Sequence, residues 1–103
     1  MGYARNRSLT VTADGANNQT APISILRGSM VTISGTITGA VTLQRRGADM
    51  VWRDCTTDAG AVITYTAIGT YRITPQSTQA EYRLNAKAGA VSAFPFTMMI
   101  EGR

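Results

Sequence analysis

Histidine is absent from this chain, and cysteine, tryptophan and lysine occur once each. Without imidazole there is no ordinary general base, no commonest metal ligand and no triad built on either role. A lone thiol, Cys55, closes no internal disulfide and falls far short of a structural zinc set. With no base in sequence to activate it, Cys55 reads as a strand thiol. Acids are scarce too, six in all. Asp49, Asp54 and Asp58 lie close together but match no calcium loop and lack the Gly and Glu of an EF-hand, so they read as solvated turn carboxylates. Too few carboxylates remain for a paired glycosidase-type site. The ten glycines show no phosphate-loop spacing followed by a helix. The chain is therefore expected to be non-enzymatic and without cofactor or metal.

No stretch reaches the roughly 20 apolar residues of a membrane helix, and the opening "MGYARNRSLT" lacks the apolar core of a signal peptide. Synthesis in a reducing cytoplasm, away from membranes, is the expectation. The sequons at Asn6 and Asn18 and the closing "IEGR", a protease recognition tetrapeptide, read as coincidence. Lysine is nearly missing, yet nine arginines give a net charge of +4. The charge is spread along the chain with no basic tail, which implies only weak attraction to polyanions. At 103 residues the chain is the size of one domain, and a partner subunit would add to a core of that size.

What is present is alternation of period two, rich in Thr, Val, Ile and Tyr and punctuated by Gly. "SLTVTA" sets Leu9, Val11 and Ala13 on one face; "PISIL" sets Ile23 and Ile25; "MVTISGTI" sets Val31, Ile33 and Ile37. The same pattern runs through Val41 and Leu43, Met50 and Trp52, Tyr65, Tyr71 and Ile73, and Tyr82, Leu84 and Ala86. The last run, "VSAFPFTMMI", aligns Phe94, Phe96, Met98 and Ile100. Pro95 inside that run predicts an edge strand or a bulge. Turn signals such as "RRGAD", "TDAG", "TPQS" and "KAGA" recur every 8 to 12 residues or so, the rhythm of a sandwich or barrel. The expected fold is all-β: a single small β-sandwich over residues 8–103, jelly-roll or immunoglobulin-like, with a barrel as the alternative closure. Residues 1–7 are expected to form an N-terminal arm, and 14–20, "DGANNQT", a mobile polar loop.

Arg45 and Arg46 are expected at the tip of the hairpin "LQRRGADMVWRD", where they either keep the protein soluble or dock on an acidic partner surface. An open β-surface with arginines and aromatics, here Arg45, Arg46, Arg53, Arg72 and Arg83 with Trp52, Tyr71 and Tyr82, would bind single-stranded nucleic acid. Strand alternation argues against it, because Arg53 falls opposite Trp52 and Arg72 opposite Tyr71. Aromatics in the core and arginines outside are the expected arrangement. A sugar-binding sandwich is the other reading considered, although one Trp and four Tyr are about enough for a core alone.

The order "VTLQRRGADMVWRDCTTDAGAVITYTAIGTYRI" resembles a segment of small structural proteins of tailed bacteriophages. The likeness is carried by an apolar strand ending in an Arg-rich turn (Leu43 to Arg46), a strand with Trp52, a Thr and Gly stretch (Thr56 to Gly60) and the Gly69 to Arg72 entry to another strand. It covers a third to a half of the chain and is one of pattern. The resemblance implies a virion protein, made in the bacterial host cytoplasm, that decorates or stabilises the capsid. A tail, collar or fibre component is the alternative. Its expected partners are further copies of itself, as a trimer, and the major capsid protein or other virion proteins, with no specific nucleic acid. Contacts by strand addition are expected from Arg5 and Arg7 of the arm and from Phe94, Phe96 and Met98 of the edge run, together with Arg45 and Arg46.

Overall fold

Alternation of buried and open side chains sorts the described chain into strands and, through them, into two antiparallel sheets. The computed structural model describes residues 5–14, 17–24, 29–73 and 80–102. The strands are β1 (Arg5–Val11), β2 (Asn18–Gln19), β3 (Ile23–Ser24), β4 (Met30–Gly35) and β5 (Val41–Arg46), then β6 (Arg53–Asp54), β7 (Thr64–Tyr65), β8 (Gly69–Arg72), β9 (Glu81–Ala86) and β10 (Phe96–Gly102). No helix occurs among the described residues, and so none long and apolar enough to cross a membrane.

The first sheet has the order β1-β10-β4-β8. In the second, β9 and β5 form the centre; β2 and β3 both pair with β9 on one side, and β6 and β7 both pair with β5 on the other. The chain changes sheet at every step between these groups except that from β5 to β6 and β7, so apart from that local pairing each sheet is assembled from segments distant in sequence. β1 pairs with β10 over its whole length, from Arg5 opposite Gly102 to Val11 opposite Phe96. Inner faces meet in one core: Val11, Val31, Ile33, Phe96, Met98 and Ile100 from the first sheet against Ile23, Val41, Leu43, Tyr82, Leu84 and Ala86 from the second. Each of the larger side chains contributes about 1.5–3 kcal/mol on full burial. The result is an all-β, sandwich-like fold.

Several expectations change. β10 is an interior strand, flanked by β1 and β4, and not an edge. Pro95 stands just before it, outside the ladder, so its missing N–H interrupts nothing. The edges of this sheet are β1 and β8, and the first three residues of β1 fall inside the segment expected to be an arm. Within the polar run 14–20, Asn18 and Gln19 are ordered as β2 against Ala86 and Asn85. Met50 and Trp52 do not extend a strand: only Arg53 and Asp54 pair back onto β5, and Met50 sits in the turn with a left-handed φ of 60°.

Candidate functional site

Inward-facing Tyr82, Leu84 and Ala86 oblige Glu81, Arg83 and Asn85 to face outward from β9. Register then sets them beside outward residues of the neighbouring strands: Glu81 opposite Arg46, Arg83 opposite Gln44, and Asn85 opposite both Thr42 and Gln19. Asp54 of β6 lies on the far side of Gln44. One step beyond that ladder, Trp52 comes down on the same face, half-buried, with the Arg46 guanidinium 4.8 Å and that of Arg83 4.2 Å from its ring centroid. Contacts of this kind contribute about 0.5–2 kcal/mol depending on desolvation.

Gln44, only 6 % exposed, is the hub of this face. Its Nε2 donates to Asp54 Oδ1 at 2.9 Å, while its Oε1 accepts from Arg83 Nε at 2.8 Å and from Asn85 Nδ2 at 3.2 Å. Asp54 accepts only and Arg83 donates only, which fixes the orientation of the Gln44 amide between them. Asn85 must then offer its NH₂ group to Gln44, and its Oδ1 is left buried without a partner among the described residues. Arg83 also reaches Gln19 Oε1 at 3.2 Å. Arg46 is held by Glu81 at 2.8 Å, and Lys87 Nζ by Asp54 Oδ2 at 2.8 Å. Hydrogen bonding from Gln44 and then the Lys87 ammonium hold the Asp54 carboxyl below its ordinary range. Partial burial, reinforced by the Arg46 charge, lowers Arg83 from its ordinary value.

At the hairpin tip, Met50 N donates to Gly47 O at 3.0 Å, and the Asp49 carboxylate accepts from Val51 N at 3.1 Å and from Arg53 at 2.7 Å. The Val51 amide first and Arg53 second hold Asp49 below its ordinary value. Exposed Met50 and Val51 thus form the apolar point of this turn.

The residues expected to bind partners are dispersed. Arg5 is the first residue of β1, opposite Gly102. Arg7 is exposed, with its guanidinium donating to Asn6 O at 3.1 Å. Arg45 and Arg46 belong to β5 and not to the turn; they point to opposite faces, and Arg46 is engaged by Glu81 and Trp52. Phe96 and Met98 are core residues, 1 % and 0 % exposed, and Phe94 is half-buried with its ring 6.2 Å from that of Phe96. These three therefore offer little or no surface, because Phe96 and Met98 face the core between the sheets and Phe94 packs against it. The structure also brings Trp52 and arginines together where segregation was expected. Arg83 belongs, with Trp52, to the surface weighed for nucleic acid; Gln44 and Asn85 were missed, although the polar series Glu81, Arg83, Asn85 and Lys87 at every second position was the available signal.

Cys55 is buried, and burial pushes its thiol up to about 11, against a weaker opposing pull from Arg45. Among the described residues no three His, Cys, Asp or Glu side chains gather as a metal site. Comparison with protein-family models, curated proteins and solved structures returned no match.

Proposed function

We propose that the chain is a non-enzymatic structural protein of a tailed-phage virion, attached to the capsid as a decoration protein by addition of strands at its sheet edge. The observation that carries this reading is β1. It is seven residues long, its register with β10 is unbroken, and no described strand pairs with its other side. An edge of this length with no bulge is a template for another chain. Asn6, Ser8 and Thr10 continue on it the hydroxyl-rich outer face formed by Thr97, Thr32 and Thr70, where Thr10 and Thr97 are bonded at 2.9 Å.

The wiring supports a jelly roll over an immunoglobulin-like sandwich. With β2 and β3 counted as one interrupted pass and β6 and β7 as another, the chain makes eight passes, and the first pairs with the eighth, the second with the seventh, the third with the sixth and the fourth with the fifth. That is one long hairpin rolled into two sheets, an architecture common in capsid domains. Fold alone does not assign function, and the free edge supplies the argument that fold lacks.

Sedimentation with expanded phage heads, together with the solution mass from light scattering, tests the proposal. Saturable binding or a trimer is expected, with at least about a tenfold loss of head binding when Arg7→Glu and Ser8→Glu place charge along the edge. A monomer that ignores heads overturns decoration and leaves a tail, collar or fibre component as the next reading. The Trp52, Arg46 and Arg83 cluster favours a second class, single-stranded nucleic-acid binding. Arg46 is nevertheless neutralised by Glu81, and oligonucleotide affinity that falls steeply with salt is the result that would restore that reading.

A further inference from the structure

A pocket of about 500 Å³ opens beside β7 and β8, away from the outer face and from the β1 edge. Its volume lies in the range of sites that hold small molecules. Leu43, Ile63 and Ile73 line its apolar part, joined by Tyr65 and Tyr71, whose rings are tilted by 44° with centroids 4.9 Å apart. Thr57, Asp58 and Arg72 line it as well, and all three are exposed.

The polar groups differ in what they already hold. Tyr71 Oη donates to Ala67 O at 2.7 Å, and Thr57 Oγ1 accepts from Ala61 N at 3.2 Å, leaving the threonine proton free to donate. Tyr65 is only 7 % exposed, but its hydroxyl is not among the buried unpaired atoms of the described residues, so it keeps access to solvent. No hydrogen bond within the protein occupies this hydroxyl among the described residues, so it can donate to a ligand in the pocket that Tyr65 lines. Burial pushes it up to about 12, so it remains a donor across the neutral range. Asp58 and Arg72 make no ion pair or hydrogen bond among the described residues. They bring one formal charge of each sign to the lining, which gives it no excess of either sign for a charged ligand.

We propose that this pocket binds a single neutral sugar ring, with a C–H face against the tyrosine wall and hydroxyls on Tyr65, Asp58 and Arg72. A pyranose matches the lining part for part. It has an apolar face for the aromatic wall. Vicinal hydroxyls donate to a carboxylate and accept from a guanidinium. This assignment stands apart from the assembly role and does not depend on it.

The test is ligand-observed saturation-transfer NMR on the full chain with methyl glycosides of glucose, galactose, mannose and N-acetylglucosamine, and with free phenylalanine as a zwitterionic probe. At least one glycoside is expected to bind with a Kd of about 1 mM or tighter. Tyr65→Phe, which removes only the hydroxyl, should weaken it about tenfold, and Asp58→Asn should weaken it as well, both with the wild-type melting temperature at neutral pH. Absence of binding by all four glycosides overturns the proposal. So does binding that both variants leave unchanged, or phenylalanine binding more tightly than every glycoside. Neither result touches the head-binding assay, so the two proposals fail separately.

Discussion

Gln44 shows how one side chain organises a surface. Replacing it with Leu strands the amide of buried Asn85, together with a guanidinium N–H of Arg83 and one oxygen of Asp54, which are half-buried. The expected loss is about 2–3 kcal/mol, since buried polar groups left unpaired forfeit most of their solvation. Urea denaturation would measure it. Trp52→Ala should cost less, about 1–2 kcal/mol, and leave the fold intact, because the indole is half-buried on the outer face. Loss of folding in that variant would place Trp52 in the core. The sequence misleads at Trp52 for a definite reason. Alternation correctly sends Arg53 to the other face, but the arginines that meet the indole come from β5 and β9. Local periodicity says which face a residue takes; it is silent about what a neighbouring strand brings there.

At the scale of elements, the long strands were legible and their neighbours were not. β4, β5, β9 and β10 follow the period-two pattern closely, whereas Pro95 points to an edge for a strand that lies inside its sheet. Its central position comes from pairing with β1, some ninety residues away in sequence, as the register of Leu9 with Met98 shows. No window along the chain contains that information. Glycine positions carry a sharper test of the connections. At Gly39 the backbone has φ +114° and bridges to Val91, and an added Cβ would run into the Ala90 carbonyl. At Gly60 φ is +86° with open space around it. Gly60→Ala should therefore lose only the left-handed penalty, about 1–2 kcal/mol. Gly39→Ala must also push two segments apart, and its urea midpoint should fall well below that of Gly60→Ala. Equal losses would mean that the contact between Gly39 and Ala90 is not tight in solution.

For the molecule as a whole, the interior acids set how stability depends on pH. Cys55 and Tyr65 both sit against the core, with values pushed by burial from 9.0 to about 11 and from 10.0 to about 12. Between these limits the unfolded chain has released protons that the native chain still holds. Stability from each group is therefore complete below its unfolded value and is lost as pH rises toward the folded one. The loss is of order 2 kcal/mol per group. On the acid side the sign reverses: the native Asp54 carboxyl is lowered from 3.8, so its contribution is present above that value and fades as pH falls below it. Thermal melts across pH should show a broad plateau with a decline beginning near pH 9. Tyr65→Phe and Cys55→Ala should each flatten the alkaline decline while leaving the acid limb unchanged, and Asp54→Asn should do the opposite. Both alkaline groups lie next to the proposed sugar pocket, and a saturating glycoside that accepts a hydrogen bond from the phenol should raise the folded-state value of Tyr65 further and so enlarge its share of the loss. An alkaline limb identical in wild type and both variants would mean that the phenol and the thiol are open to water in the native state.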